Sequence, residues 1–420
     1  MSSSNQFCYY LKFTLAILLT GIVAGIAGLL LSLLLHFVQH LAFDYSLDKL
    51  ISPESFLNGV RASAPWRRLL ALAICGLIAG IGWWGLFRYG SKLISIEAAL
   101  KNDVPKMPIV TTFINDILQI VTVGLGSPLG REVAPREVAA TMGSWIAEQL
   151  GLTIKDAKVV LACGAGAGLA AVYNVPLAGA LFTLEALLVT FHWTQVISAL
   201  FASTVAAIIA WIGLGNSPQY QIGQMMLSYS LVAWAILVGP ILGVAAFYFV
   251  QLTTISKARA PKNWQIIPIA FINFLLIGLL AIPFPELLGN GKGPLQLGFD
   301  GSLGIKLVAV LLIIKLVITI SSLRAGASGG LLTPGLMFGA LLAILIGSGW
   351  NLIFPLVNIS AFAIVGATAF LAASMKMPLT AIVLMLELTH TNHDSVIPML
   401  FAVIGSVGMF NYLKKITYYS

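Results

Sequence analysis

Long apolar segments follow one another along most of this 420-residue chain. An α-helix needs about 20 mostly apolar residues to cross a bilayer, because its backbone polar groups must be paired within the segment. By this measure the sequence predicts roughly ten to fourteen hydrophobic segments, several of them too short to span alone. The clearest long ones are 15–37, 69–87, 196–214, 227–250, 267–282, 305–320 and 396–412. The chain is therefore predicted to be an all-α polytopic membrane protein.

The charge pattern distinguishes between membrane lipid and nucleic acid as partners of this chain. Only 9% of the residues are charged, 59% are hydrophobic, and the net charge is +8. The basic residues lie mainly at the ends of apolar segments, as topology signals at a lipid surface do, so we predict membrane lipid and no nucleic acid as a partner. The five histidines show no metal-ligand spacing, and neither a metal nor another cofactor is expected. The prediction is one transmembrane domain, 1–420, with no soluble regulatory domain, in the cell (plasma or inner) membrane.

An acid and a base interrupt the apolar sequence at residues 126–135, Gly-Ser-Pro-Leu-Gly-Arg-Glu-Val-Ala-Pro. An ionisable group inside a membrane is costly and is by default a functional candidate. Glu132 lies in a segment broken by glycine and proline, and such breaks are tolerated at membrane depth where they line a watery cavity. Glu132 is therefore predicted to belong to an ion pathway. The structural alternative is that it pairs with Arg131 or Arg136.

Two stretches of the chain repeat about two hundred residues apart. Residues 174–185 and 376–387 each contain Pro-Leu, an apolar run, and a glutamate nine residues after the proline. Residues 130–135 have a counterpart at 329–334 at nearly the same offset. Repeated halves with short segments interrupted by glycine or proline are typical of secondary transporters. We predict halves of approximately 11–215 and 226–412, with the substrate site between them.

Helix starts inside a membrane favour an anionic substrate. The first amides of a helix are not used by its own hydrogen-bond ladder, and its positive dipole end is exposed. Such an end binds anions. We expect helix starts after Gly90, Gly130 and Gly330, which would suit a small inorganic anion.

These motifs closely resemble the CLC family of chloride channels and proton-coupled anion transporters, over nearly the whole chain. The glycine-rich run 164–185 ends in Asn-Val-Pro-Leu-Ala-Gly-Ala-Leu-Phe-Thr-Leu-Glu, and 378–387 is similar to the family's second copy. Residues 130–135 resemble Gly-Lys/Arg-Glu-Gly-Pro, 330–334 resemble Gly-x-Phe-x-Pro, and 90–94 resemble Gly-Ser-Gly-Ile-Pro. The resemblance implies a CLC-like inverted repeat of broken and tilted transmembrane helices.

The resemblance also implies roles for individual residues. Glu132 would be the gating glutamate, which competes with anions and carries the proton. The anion ligands would be the Ser91 hydroxyl, the amides of Leu331 and Leu332, and a tyrosine hydroxyl. The context Lys-Ile-Thr-Tyr favours Tyr418 for that hydroxyl, with Tyr419 as the alternative. The family works as a homodimer with one pathway in each subunit.

Departures from the family pattern leave two transport hypotheses open. Coupled members usually carry a second proton glutamate in a Glu-Glu pair, whereas this chain has Glu185-Ala186. Protons would then pass Glu185 through water, or coupling would be lost and the protein would be a passive voltage-gated-type chloride channel. Lys92 and the sequences Val133-Ala134 and Leu332-Thr333 resemble the fluoride/proton antiporter branch, in which Thr333 would stabilise fluoride or a protonated Glu132.

Ser91 keeps the residue of the chloride type, so the transported halide is either fluoride or chloride. An intramembrane enzyme would need a nucleophile with a base, or a metal set, within the apolar segments. The sequence offers neither, and the protein is predicted not to be an enzyme.

Overall fold

The computed structural model describes residues 3–45, 55–222, 227–391 and 393–419, and the side chains of 6–45, 55–222, 227–391 and 394–417. Within these ranges the chain forms seventeen α-helices and no β-strand. The helices are α1 (Ser3–Phe43), α2 (Phe56–Ala62), α3 (Pro65–Tyr89), α4 (Ile96–Lys101), α5 (Ile109–Gly124), α6 (Val133–Gln149), α7 (Ile154–Tyr173), α8 (Pro176–Phe182), α9 (Trp193–Leu214), α10 (Tyr229–Ala258), α11 (Ile266–Leu280), α12 (Lys292–Phe299), α13 (Ile305–Arg324), α14 (Leu332–Trp350), α15 (Ile359–Met375), α16 (Pro378–Thr389) and α17 (Val396–Tyr419).

Eight of the described helices are long and apolar enough to span a membrane, and five more are apolar but shorter. The long ones are α1, α3, α7, α9, α10, α13, α14 and α17. The predicted all-α, multi-pass membrane protein with broken helices is confirmed. The predicted long segment 267–282 forms only the 15-residue α11, which ends at Leu280. Pro283 explains the early end, because the residue before a proline is disfavoured in helical conformation.

The chain divides into two compact units. Unit 1 contains residues 1–36, 85–120 and 131–219, and unit 2 contains residues 37–84, 121–130 and 220–420. Both units are discontinuous along the sequence. The predicted sequence halves, 11–215 and 226–412, concern the internal repeat and stay a prediction.

The core of unit 1 is rich in small residues. A side chain at Gly164 would lie 2.5 Å from the carbonyl oxygen of Ala139 in α6, and one at Gly168 would meet the carbonyl oxygen of Pro135. Gly166 lies on another side of α7 and faces Gly179 in α8. The glycine run 164–168 therefore lets three helices approach backbone to backbone, as small residues do in membrane helices.

In unit 2, α10 and α17 run parallel and in close contact. Gly239 packs on Ala402, and a methyl group added at Gly239 would lie only 2.7 Å from the Ala402 carbonyl oxygen. Gly243 packs on Ser406 one turn later. The rings of Phe247 and Phe410 follow, with their centroids 5.8 Å apart. The equal spacing along both helices brings their carboxyl ends side by side.

The two copies of the Pro-Leu repeat have the same local backbone. Asn174 and Lys376 both adopt the left-handed conformation, with φ of 58° and 56°. The following residues, Val175 and Met377, have φ/ψ of −132°/66° and −137°/68°. Each is followed by a proline at the first helical position, where its missing N–H costs nothing. The repeat found in the sequence is thus also present in the backbone geometry.

Candidate functional site

Glu132 lies at the amino-terminal cap of α6 in unit 1, with φ of −74° and ψ of −19°. Only 1% of its surface is exposed, and the Tyr173 hydroxyl donates a hydrogen bond of 3.3 Å to its Oε2 atom. Its side chain does not cap the helix. The carboxylate is therefore buried beside a positive helix end and is held in part by a neutral donor.

Two buried arginines flank Glu132 in the sequence, and both stack on aromatic rings of unit 1. The Arg131 guanidinium lies 5.4 Å from the centroid of the Tyr173 ring, and that of Arg136 lies 4.2 Å from the Phe182 ring. Stacking on a ring stabilises a guanidinium, and the charge of Arg136 also interacts with the carboxylates of Glu132 and Glu137. Tyr173 thus contacts both Arg131, through its ring, and Glu132, through its hydroxyl.

A second helix start lies in unit 2, at α14. Gly130 and Gly330 exchange two backbone hydrogen bonds of 2.8 Å, each donating its N–H to the other's carbonyl. Leu331 then caps α14, and its carbonyl accepts a bond of 2.9 Å from the Gly335 amide. Leu332 and Thr333 form the first turn, and both are buried. Because the leucine side chains carry no polar atom, the polar groups of these three residues are their backbone groups and the Thr333 hydroxyl.

The loop that leads to Gly130 is held by a buried lysine that sequence reasoning missed. Gly126 has φ of 107°, and its carbonyl accepts a 3.0 Å bond from the Gly289 amide. The Gly289 carbonyl in turn accepts a 2.6 Å bond from the Lys315 ammonium, which lies in α13 and is 1% exposed. The available signal was Lys315 in the interior of the apolar run 305–320, whose other lysine, Lys306, lies at its start. An intramembrane cation at such a position is a functional or positioning candidate.

Ser91 lies in unit 1, in the extended link between α3 and α4, and its side chain is exposed. Its amide donates a 3.0 Å bond to Thr111 Oγ1. The helix start expected directly after Gly90 is wrong, because α4 begins only at Ile96 and is capped by the Ser95 hydroxyl. The Ser91 hydroxyl is therefore offered from an extended segment.

The remaining predicted residues are dispersed. Glu185 lies half-buried in a π-helical turn, Thr183–Leu188, that directly follows α8. Such turns occur often at functional sites. Tyr418 lies in the last turn of α17, but its side chain and that of Tyr419 fall outside the described residues. The roles of these residues stay predictions.

A buried polar cluster in unit 1 also escaped the sequence analysis. Asn115 Nδ2 lies 3.2 Å from Glu137 Oε2 and 3.4 Å from Asp116 Oδ1, and Gln119 Nε2 lies 3.3 Å from Asp116 Oδ1. Asp116 is fully buried. The signal was four polar side chains, three of them within the short apolar helix α5. Throughout the described part of the chain, no three His, Cys, Asp or Glu residues come together as metal ligands.

Comparison with known proteins gives consistent matches. The profile of the family described as "Voltage gated chloride channel" matches residues 72–411. The H(+)/Cl(−) exchange transporter ClcA of Salmonella arizonae is 27% identical over 431 residues, which cover 97% of this chain and 88% of that protein.

Two solved structures share the fold over almost their whole length. A slow cyanobacterial Cl−/H+ antiporter has a TM-score of 0.82 at 20% identity, with 96% of this chain and 95% of that chain covered. A CLC-type fluoride/proton antiporter has a TM-score of 0.68 at 19% identity, with 95% of each chain covered.

Proposed function

The chain belongs to the voltage-gated chloride channel (CLC) family, and on this basis we propose that it exchanges a halide for protons across the cell membrane. Named relatives support this activity: the Salmonella protein is a proton/chloride exchange transporter, and the two solved structures are proton-coupled antiporters of chloride and of fluoride. The activity is transport, with no covalent step. As in the family, the working unit would be a homodimer in lipid.

The observation that carries the proposal is the buried carboxylate of Glu132 at the start of α6. In the ionised form, this carboxylate is the anion that the positive helix end attracts. Protonation removes its charge and with it most of that attraction. A halide and the ionised carboxylate would therefore exclude one another, which couples halide movement to protonation of one group.

Anion binding would use the second helix start. The amides of Leu331 and Leu332, at the start of α14, would bind the anion as helix ends do, and the Thr333 hydroxyl would add one neutral donor. Ser91 and Tyr418 would each contribute a hydroxyl, and Glu185 would serve the proton route. Neutral donors suit transport, because an ion must be held and then released.

The halide is proposed to be fluoride or chloride, and one experiment decides both the ion and the mechanism. Purified protein in proteoliposomes would be loaded with fluoride or chloride, and halide efflux would be recorded together with external proton concentration. We expect efflux of one halide accompanied by proton uptake at a fixed ratio. Halide efflux without proton uptake would instead establish a passive channel. Ala186, in place of the second glutamate of the pair, would be the first explanation for the lost coupling.

The substitution Thr333→Val tests whether the transported halide is fluoride. Fluoride is small and strongly hydrated, so it depends more than chloride on each donor that replaces water. If fluoride is the substrate, loss of the hydroxyl should reduce fluoride efflux by about tenfold, which corresponds to about 1.4 kcal/mol. Ser360→Ala removes a hydroxyl in α15, outside the proposed site, and is the matched control.

A further inference from the structure

A cavity of about 420 Å³ opens where α10 and α17 reach their carboxyl ends in unit 2. The rings of Phe247 and Phe410, in edge-to-face contact, form part of its wall, and Val250 extends this apolar surface. Gln251, Lys376 and Lys414 also line it. Among the described residues that line the cavity, none is Asp or Glu. The cavity therefore combines a mainly apolar wall with two cationic side chains, Lys376 and Lys414, which we call the rim.

The two lysines of the rim line the same cavity and lie close enough for their charges to interact. Lys376 occupies the left-handed junction between α15 and α16, and Lys414 lies on α17. Partial burial and the neighbouring Lys414 charge lower the pKa of Lys376. Two ammonium groups at this separation repel each other, whereas an anionic group between them would attract both. The arrangement suits one ligand group with several acceptor oxygens, such as a phosphate.

The surroundings place this cavity at the edge of the lipid-facing surface. Large apolar side chains on the same ends of α10 and α17 are exposed: Tyr248 by 56%, Leu252 by 43% and Ile416 by 49%. Basic residues follow just beyond them, at Lys257 and Lys262. An apolar belt followed by basic residues is typical of the boundary between acyl chains and the headgroups of an anionic leaflet.

We propose that this cavity binds one anionic phospholipid, with its phosphate between Lys376 and Lys414 and an acyl chain against Phe247, Val250 and Phe410. A soluble anion would use the two ammonium groups and leave the apolar wall in water. A zwitterionic lipid would fill the wall, but its own cationic group would weaken the contact with the lysines. The site does not depend on which ion the protein transports.

The test measures lipid binding to the purified full-length protein by native mass spectrometry, with phosphatidylglycerol and phosphatidylcholine of the same acyl chains as probes. The variant is Lys376→Gln with Lys414→Gln. Its matched control is Lys257→Gln with Lys262→Gln, which removes the same charge from the same end of unit 2. The rim variant should bind phosphatidylglycerol roughly thirtyfold more weakly, about 2 kcal/mol for two lysines beside an anionic headgroup. The control should lose less than about threefold, because its lysines lie outside the cavity.

Four results would contradict the proposal. Equal losses in the rim variant and the control would mean diffuse surface attraction. Equal binding of phosphatidylcholine and phosphatidylglycerol to the unchanged protein would remove the role of charge. Displacement of the lipid by millimolar inorganic phosphate would show a site for a soluble anion. Val250→Trp, which fills the wall and leaves the lysines intact, should also block phosphatidylglycerol, and retained binding in this variant would contradict the acyl-chain contact.

Discussion

The starts of α6 and α14 share a preceding paired glycine and a proline in the first turn, and they differ in the residue at the cap. Each follows one partner of the reciprocal Gly130–Gly330 pair, and each has a proline as its third helical residue. The cap is Glu132 in one and Leu331 in the other. The first helix start therefore has a carboxylate at its cap, and the second has an apolar side chain there.

In the proposed function, this difference would give the two helix starts different tasks. A helix end that is already supplied with a carboxylate responds to proton concentration, because the carboxylate is attracted only when it is ionised. A helix end without one responds to the halide alone. In the proposed function, the carboxylate at one of the two caps would couple halide movement to protonation, and changing either cap tests this proposal.

Glu132→Gln should have the largest effect, because it makes the first start as neutral as the second while keeping the size of the side chain. We expect proton uptake to vanish and halide efflux to continue without dependence on pH, measured in proteoliposomes. Glu387→Gln, which neutralises the repeat-related glutamate of α16, is the control and should keep coupled exchange. Proton uptake at the unchanged ratio in Glu132→Gln would refute the role of this carboxylate.

Leu331→Glu is the converse change, since it gives the second helix start a carboxylate. At neutral pH this anion should occupy the end of α14 and reduce halide efflux by at least about tenfold, as helix ends and close anions interact by about 1–2 kcal/mol when partly buried. Acidic solution should restore efflux, because the protonated group no longer competes. Leu331→Gln controls for size and polarity, and an equal loss of flux in both variants would argue for a steric effect.

Gly329→Ala tests the close backbone packing that precedes the second helix start. A methyl group at this position would lie 2.6 Å from Leu129 Cβ, so the segments that precede Gly130 and Gly330 must separate. Overpacking of this kind costs about 1–3 kcal/mol. The thermal unfolding temperature of the purified protein should fall. Gly349→Ala, in α14 with no atom near the added methyl group, should leave this temperature unchanged or raise it, and equal behaviour of the two variants would mean that the contact yields easily.

Both helix starts could be located from the sequence because local residues determine them. Pro135 and Pro334 favour a first turn, where a missing N–H breaks no helical hydrogen bond, and the glycines at 130 and 330 allow the close backbone pairing before it. The Pro-Leu repeat likewise determines two identical junctions. These features depend on a few neighbouring residues, so a motif was sufficient to identify them.

The contacts that complete the site depend on distant parts of the chain and were not predictable in this way. The Lys315 ammonium reaches the Gly289 carbonyl across 26 residues, and Tyr173 reaches Glu132 across 41. Neither pair has a sequence signature, because each arises from helix packing. The helix expected after Gly90 was displaced by a competing local signal, the Ser95 cap. The sequence was therefore sufficient to locate Glu132, whereas its contact with Tyr173 could be identified only from the structure.

Tyr173→Phe should have the smallest effect and isolates one of those partners. The change keeps the ring under Arg131 and removes only the hydroxyl that donates to Glu132 Oε2. One such bond contributes about 1 kcal/mol, so the carboxylate should leave its position more readily and halide efflux should rise by about fivefold. Tyr412→Phe, on the exposed side of α17, serves as the control. Coupling should persist in both variants, since the carboxylate remains. A loss of coupling as complete as in Glu132→Gln would mean that the tyrosine hydroxyl itself carries the proton.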